Sequence, residues 1–142
     1  MSDRCFVDTN ILVYAHHRAA GAKHQRAVAL VDGLWNSGKG IVSTQVLQEL
    51  SVNLRRKTSE PLPVEEVRQL IRDYATWEVV VNTAESILQA LEIEARYRIS
   101  FWDALILQAA EDGGAAVLYS EDLSAGQEYG PVRVINPLLG GS

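Results

Sequence analysis

Short apolar runs rich in β-branched residues alternate with amphipathic segments along this chain, and this alternation is what most restricts its fold. The runs at residues 5–7, 41–43, 78–81, 115–119 and 132–135 are typical of buried strands. Between them, apolar residues recur every three or four positions, which predicts helices. Strands that alternate with helices form a largely parallel sheet covered on both faces. The sequence therefore predicts an α/β protein built as a three-layer α/β/α sandwich, without giving the strand order.

The predicted helices begin and end at ordinary sequence signals. Asp8, Thr9 and Asn10 follow the first strand, and their side-chain oxygens favour a helix start. Gly and Pro clusters separate the later segments, and neither an internal repeat nor an interdomain linker is evident. We therefore expect residues 1–142 to form a single domain, with further helices at about 24–35, 44–56, 63–77, 84–95 and 100–110.

Composition excludes several classes of protein. A chain of 142 residues that is 47% hydrophobic can bury a sizeable core without disulfides. Its one cysteine, Cys5, cannot form an intramolecular disulfide or a multi-thiolate zinc site, and we expect it to be a small buried residue. No stretch approaches the roughly 20 apolar residues of a membrane span. These features predict a cytoplasmic protein with no membrane partner.

The net charge of −5 argues against a protein that coats nucleic acid through a broadly basic surface. Local phosphate contacts remain compatible with it. Six basic residues, which on helix ends are more often solvated surface charges, are the candidates for such contacts: Arg18, Lys23, Arg26, Arg55, Arg56 and Lys57.

Four acidic residues stand where a parallel α/β sheet places its ligands, beyond the carboxyl ends of the strands or on the adjoining helices. Asp8 follows the first strand, Glu49 lies within a helix, Asp103 falls in a first helical turn and Asp122 follows a later strand. Together they would repel one another unless protonated or bound to a cation. Carboxylate oxygens suit the hard ions Mg²⁺ and Mn²⁺.

Each acid also has a purely structural interpretation. Asp8 can cap the helix that follows it, and Glu49 can be a solvated charge beside an apolar stripe. Asp103 stands three residues after Ser100, as in a capping box, and Asp122 can be an ordinary turn residue. Local patterns alone therefore leave the cluster open.

Four segments in order give the sequence a specific resemblance. Residues 6–14 (FVDTNILVY), 43–49 (STQVLQE), 102–106 (WDALI) and 119–123 (YSEDL) resemble the ordered motifs of PIN domains, in particular VapC-like toxins. The resemblance continues to Asn136 and Pro137, although Leu138 stands where family members often have Phe, a difference that concerns packing. It implies a PIN-like sandwich that acts as a Mg²⁺- or Mn²⁺-dependent ribonuclease.

By this resemblance, Asp8, Glu49, Asp103 and Asp122 form the catalytic metal site. Asp8 and Asp103 are the expected direct ligands, whereas Asp122 and Glu49 bind a second ion, a metal-bound water or the attacking water. The resemblance places three more residues in a polar supporting shell: Thr9, Asn10 and Ser120. It also implies an RNA substrate, a small antitoxin partner that covers the site, and a homodimer.

Two other functions are compatible with acids beyond sheet strands. The chain can be a noncatalytic PIN-fold module that binds RNA or protein, which the four acids disfavour. It can also be a phosphate-signalling receiver domain, although Asp8 lacks an acidic neighbour and no suitably placed Lys follows Tyr119. The three histidines are expected on the surface, and four aromatic residues in core or interface packing: Trp35, Trp77, Phe101 and Trp102.

Overall fold

The computed structural model describes residues 4–139. Six strands lie within this range: β1 (Cys5–Val7), β2 (Gly40–Ser43), β3 (Glu78–Val80), β4 (Val117–Tyr119), β5 (Glu128–Tyr129) and β6 (Val132–Ile135). The helices of the same range are α1 (Thr9–Ala15), a short 3₁₀ helix (Arg18–Ala20), α2 (Ala22–Ser37), α3 (Thr44–Arg56), α4 (Val64–Tyr74), α5 (Ala84–Tyr97) and α6 (Phe101–Asp112). The predicted strands and helices are present, whereas β5 and the 3₁₀ helix were not predicted.

The six strands form one sheet in the order β3-β2-β1-β4-β6-β5. All neighbouring pairs are parallel except β5 and β6, which are antiparallel at one edge. The chain runs outward from β1 through β2 to β3, and then fills the other side of β1 with β4 and β6. The strand order therefore reverses between β1 and β4, which is where open sheets of this kind bind ligands.

The core lies on both faces of this sheet. Phe6, Val7, Ile41, Val42 and Leu118 are fully buried, so their strands are apolar without alternation, as in a sheet covered on both sides. Helix α1 packs against α2 and α3, and α4 packs against α3. Helix α6 contacts β2, β4 and β6, and α5 packs on α6. The predicted three-layer α/β/α sandwich is confirmed.

Local signals set the helix boundaries. The side-chain oxygen of Ser43 accepts a hydrogen bond from the amide of Val46 and starts α3 at the predicted position. Gly40 begins β2 beneath the indole of Trp77, where a Cβ atom would approach a ring carbon to 2.5 Å. Leu138, the departure from the family pattern, is buried at 6% exposure in the core.

Within residues 4–139, no helix combines the length and the apolar character that crossing a bilayer requires.

Candidate active site

The fold brings the four predicted acids to one place. Asp8 and Asp122 follow the neighbouring strands β1 and β4, Glu49 projects from α3 and Asp103 from the first turn of α6. All four line one open cleft with a volume of about 300 Å³. This cleft lies at the strand-order reversal, so sheet topology explains why residues 8 and 122 meet.

Asp8 is the most deeply placed of the four acids, with 4% of its surface exposed. One carboxylate oxygen accepts a hydrogen bond from the amide of Thr9 at 2.7 Å, and the other accepts one from the hydroxyl of Ser120 at 2.8 Å. Burial raises the pKa of Asp8 to about 7, against these two hydrogen bonds, and the nearby charges of Asp122 and Glu49 raise it further. Asp8 is therefore the N-cap of α1 and also a buried carboxyl group whose charged form is disfavoured in the cleft.

Glu49 is half-buried and held by two side chains, so its interpretation as a solvated surface charge is wrong. The hydroxyl of Thr9 donates to its Oε1 at 2.7 Å, and the amide of Gln45 donates to its Oε2 at 3.3 Å. Thr9 thus contacts two acids at once, Asp8 through its backbone and Glu49 through its side chain.

Asn10 fixes the turn that carries Asp122. Its side-chain amide donates to Asp122 Oδ2 at 2.9 Å, and its Oδ1 accepts from the backbone amide of Glu121 at 3.3 Å. The hydroxyl oxygen of Ser120 also accepts from the amide of Asp122 at 3.1 Å. The first turn of α1 is in this way joined to a segment 112 residues away, and Asp122 is more than a turn residue.

Asp103 combines its capping position with a place in the cleft. Its amide donates to the hydroxyl oxygen of Ser100 at 3.1 Å, which starts α6 as predicted. Burial raises the pKa of Asp103 against the hydrogen bond with Ser100, and the charges of Asp122 and Glu49 act in the same direction as burial. The pKa values of Asp8 and Asp103 are therefore both raised in part by the charges of Asp122 and Glu49.

The donor set of the cleft fits a hydrated divalent cation. Within residues 4–139, no group of three or more His, Cys, Asp or Glu side chains is arranged closely enough to hold an ion on its own. Four carboxylates nevertheless line the cleft, and the pKa of Asp8 is raised by burial and, to a smaller extent, by the charges of Asp122 and Glu49. Mg²⁺ keeps several waters and binds through one or two carboxylates, so an all-protein cage is unnecessary.

The structure brings one of the six predicted RNA-binding residues into the cleft, namely Lys57 at the end of α3. Lys23 does not line the cleft, and is paired with Glu121 at 2.6 Å beside Tyr14. Arg26 donates to the backbone oxygen of Leu138 at 2.8 Å, and Arg18 lies in a separate groove. Arg55 lines a groove beside α4, and Arg56 is exposed outside the cleft.

The histidines are outside the cleft, and all three are half-buried rather than fully exposed. His16 contacts the hydroxyl of Tyr74 at 2.7 Å, and burial lowers its pKa. His17 contacts Ser59, and His24 the backbone oxygen of Tyr14. Cys5 is buried as predicted.

Sequence reasoning missed several residues that line the cleft. Gln45 and Asn53 stand four residues before and after Glu49, and Lys57 four further, so one polar stripe of α3 faces the site. That spacing could have been recognised in the sequence. Trp102 also lines the cleft and is 62% exposed, so of its two predicted roles, core or interface packing, core packing is wrong.

The PIN domain family matches residues 5–125, and this decides the classification. The chain belongs to the PIN domain family. The predicted family resemblance is confirmed, and the match includes all four acidic motifs. A comparison with curated proteins gives no match.

Solved structures agree with this classification. Mycobacterium tuberculosis VapC20, described as a toxin that cleaves the sarcin-ricin loop, is 27% identical, with a TM-score of 0.65 over 83% of this chain and 89% of that one. A toxin–antitoxin complex from Klebsiella pneumoniae is 15% identical, with a TM-score of 0.70 over 94% and 97%. FitAB bound to an IR36 DNA fragment is 17% identical, with a TM-score of 0.70 over 97% and 98%. The last two likenesses show a shared fold.

Proposed function

We propose that this PIN domain is a metal-dependent endoribonuclease and the toxin of a toxin–antitoxin pair. The observation that carries the proposal is the convergence of four carboxylates, from four separate segments, in one cleft whose buried Asp8 has a pKa of about 7. The similarity to VapC20, a toxin that cleaves RNA in the sarcin-ricin loop, supports the substrate class.

A bound Mg²⁺ or Mn²⁺ would supply positive charge for the scissile phosphate and lower the pKa of a coordinated water. Asp8 and Asp103 are the proposed direct ligands. Thr9 and Ser120 hold the Asp8 carboxylate in one orientation, so little side-chain entropy is lost when it binds. Asp122 is oriented by Asn10 in the same manner.

Hydrolysis of a phosphodiester transfers a hydroxyl group from water to phosphorus, breaks a P–O bond and gives a proton to the leaving oxygen. Glu49 is the proposed residue that orients the attacking water and takes its proton. Hydrogen bonds from Thr9 and Gln45 to its two oxygens leave lone pairs on both for this purpose. Lys57, at the edge of the same cleft, is the proposed contact to a neighbouring phosphate.

The test is cleavage of a total-RNA pool in Mg²⁺, Mn²⁺ or EDTA, with new ends mapped by sequencing. Asp8→Asn preserves shape and should fold, yet remove nearly all metal-dependent cleavage. Asp112→Asn is the matched control, because Asp112 is exposed and lies outside the cleft. This variant should cleave RNA as the parent does.

Each alternative result has a defined meaning. Equal cleavage by the parent and a purified Asp8→Asn, Asp103→Asn double variant would contradict the proposed site. Binding of varied RNAs without turnover in any metal would favour the noncatalytic module. Family membership already argues against a receiver domain, which stable phosphorylation by a small phosphodonor would revive.

We also propose a small antitoxin that covers the cleft with a basic side chain among the acids, and a homodimer. The similar structure from Klebsiella pneumoniae is described as a toxin–antitoxin complex, which supports the first partner. Val67 and Tyr74 of α4 face the core, whereas Val64 is half-exposed beside them and available to a partner. Coexpression with the adjacent small open reading frame, followed by sizing, should give a complex. A persistent free monomer would count against both partners.

A further inference from the structure

Trp102 occupies an unusual position for the largest apolar side chain in proteins. It is 62% exposed, although tryptophan is highly buried on average. The other two tryptophans pack on Tyr74, with ring centroids 5.4 Å away for Trp35 and 5.1 Å for Trp77. Those two indoles share an aromatic cluster with the buried Tyr74, whereas the ring contact of Trp102 is with its chain neighbour Phe101.

Trp102 is also one of the residues that line the proposed reaction centre. Trp102 lines the cleft together with the four acids, and it directly precedes Asp103 in the first turn of α6. An RNA strand whose phosphate enters this cleft therefore brings its adjoining sugars and bases close to Trp102.

The indole has one aromatic neighbour, and the backbone that carries it is hydrogen-bonded to the site. The ring of Phe101 lies edge-on to it, with centroids 5.2 Å apart and planes at 79°. The backbone oxygen of Trp102 accepts a hydrogen bond from the side-chain amide of Gln45 at 3.4 Å, and the same amide donates to Glu49. An exposed aromatic side chain on an anchored helix turn requires little backbone ordering when a flat ligand stacks on it.

We propose that Trp102 is a positioning and specificity residue on which one base of the RNA substrate stacks, beside the phosphate that is cut. This inference rests on the proposed ribonuclease function. Every base has a π face, so any of the four bases can stack on the indole. The base must, however, not be stacked on its neighbours in an RNA helix. The stacked base is therefore in a single strand or loop, and it fixes which phosphate reaches the acids.

The experiment measures RNA binding separately from cleavage. A fluorescein-labelled single-stranded RNA is titrated by anisotropy in EDTA at low salt, and intrinsic tryptophan quenching is followed in parallel. Three variants are compared with the parent: Trp102→Ala, Trp102→Phe and Leu88→Ala. Leu88 is the matched control because it is similarly exposed, at 59%, but outside the cleft.

Stacking predicts that Trp102→Ala weakens binding about 10- to 100-fold, since a stacked base contributes roughly this much. Trp102→Phe should bind within about threefold of the parent because the ring remains, but it should lose the RNA-induced quenching. Leu88→Ala should match the parent in both. In Mg²⁺, Trp102→Ala should raise KM more than it lowers kcat, and it should shift or blur the mapped cleavage sites.

Equal RNA binding by Trp102→Ala and Leu88→Ala would overturn the inference. So would a change of oligomeric state in Trp102→Ala with RNA binding unaltered, because Trp102 would then be a contact between copies. Failure of the ribonuclease proposal looks different. If the parent binds RNA with Trp102-dependent quenching but never cleaves it, the stacking inference stands and the ribonuclease proposal is overturned. If the parent neither binds nor cleaves RNA, both are overturned.

Discussion

Two clefts of this protein are lined with acids, and they differ in the way those acids are placed. The candidate active site has a volume of about 300 Å³ and contains the buried Asp8. The second cleft, between α5, α6 and β5, is larger at about 560 Å³ and contains Glu92, Glu111 and Asp112. All three of those acids are exposed, and Arg96 lies among them. Neither size nor the number of acids therefore identifies the site.

The two clefts also differ in the hydrogen bonds that their acidic side chains accept. In the candidate site, Thr9, Asn10 and Ser120 donate to three of the acids, across as many as 112 residues of chain. Within residues 4–139, the acidic side chains of the α5–α6 cleft have no such donors. Carboxylates fixed close to a buried one, Asp8, disfavour its charged form, and a bound cation would relieve this.

Removing one acid from each cleft should give the largest contrast. Asp103→Asn and Asp112→Asn change opposite ends of the same helix by the same atoms. We expect RNA cleavage to fall more than about 100-fold in Asp103→Asn, because Asp103 is a proposed direct metal ligand and the loss of a ligand exceeds the usual effect of a supporting residue. Asp112→Asn should remain within about twofold. Comparable losses in the two variants, measured as kcat/KM, would erase the distinction between the clefts.

The pH dependence of stability should distinguish Asp8 from an exposed acid. Folding raises its pKa from 3.8 to about 7, so the folded state holds the proton more tightly. The resulting stabilisation is complete below pH 3.8 and is lost as the pH rises to about 7, with a slope approaching ~1.4 kcal/mol per pH unit. Urea denaturation in EDTA should show that the free energy of unfolding of Asp8→Asn increases relative to that of the parent as the pH rises.

Two controls accompany this measurement. Asp112→Asn should follow the parent at every pH, because its carboxylate is exposed. Added Mg²⁺ should restore the parent near pH 7.5 and leave Asp8→Asn unchanged. Parallel stability curves for parent and Asp8→Asn would mean that Asp8 is not under electrostatic strain.

Asn10→Ala tests whether the hydrogen bonds around the acids matter for catalysis. The substitution removes both contacts to the turn that carries Asp122, at 2.9 and 3.3 Å. Supporting residues of metal sites contribute about 10- to 100-fold, and we expect the low end because Asp122 remains present. Asn36→Ala, an exposed change on α2, should be neutral. Unchanged cleavage and metal affinity in Asn10→Ala would show that Asp122 needs no positioning.

The smallest expected effect concerns the basic residues of the two clefts. Lys57→Ala should raise KM about threefold and reduce its salt dependence, because the lost contact is one exposed phosphate contact. Arg96→Ala, in the α5–α6 cleft, should leave KM unchanged. A larger effect at Arg96 than at Lys57 would place the RNA on the wrong side of α6 for the proposed mechanism.

Particular elements show how far the sequence could be interpreted. Helix α3 was predicted at its observed limits because Ser43 caps it and its apolar spacing is regular. β5 is only two residues long and pairs antiparallel with β6 at the sheet edge, so it has too few residues to form a pattern. Glu49 was ambiguous because its partner Thr9 lies 40 residues away, beyond the reach of local patterns.

By itself, the sequence determined the alternating elements, the three-layer class and the four acids, because hydrophobic periodicity, helix caps and ordered motifs are local properties. Only the tertiary structure decided which side chains meet. Strand order places Asp8 beside Ser120, closes Asn10 onto Asp122, pairs Lys23 with Glu121 and turns Trp102 out to solvent. These outcomes depend on packing between segments distant in the chain, and no local spacing specifies them.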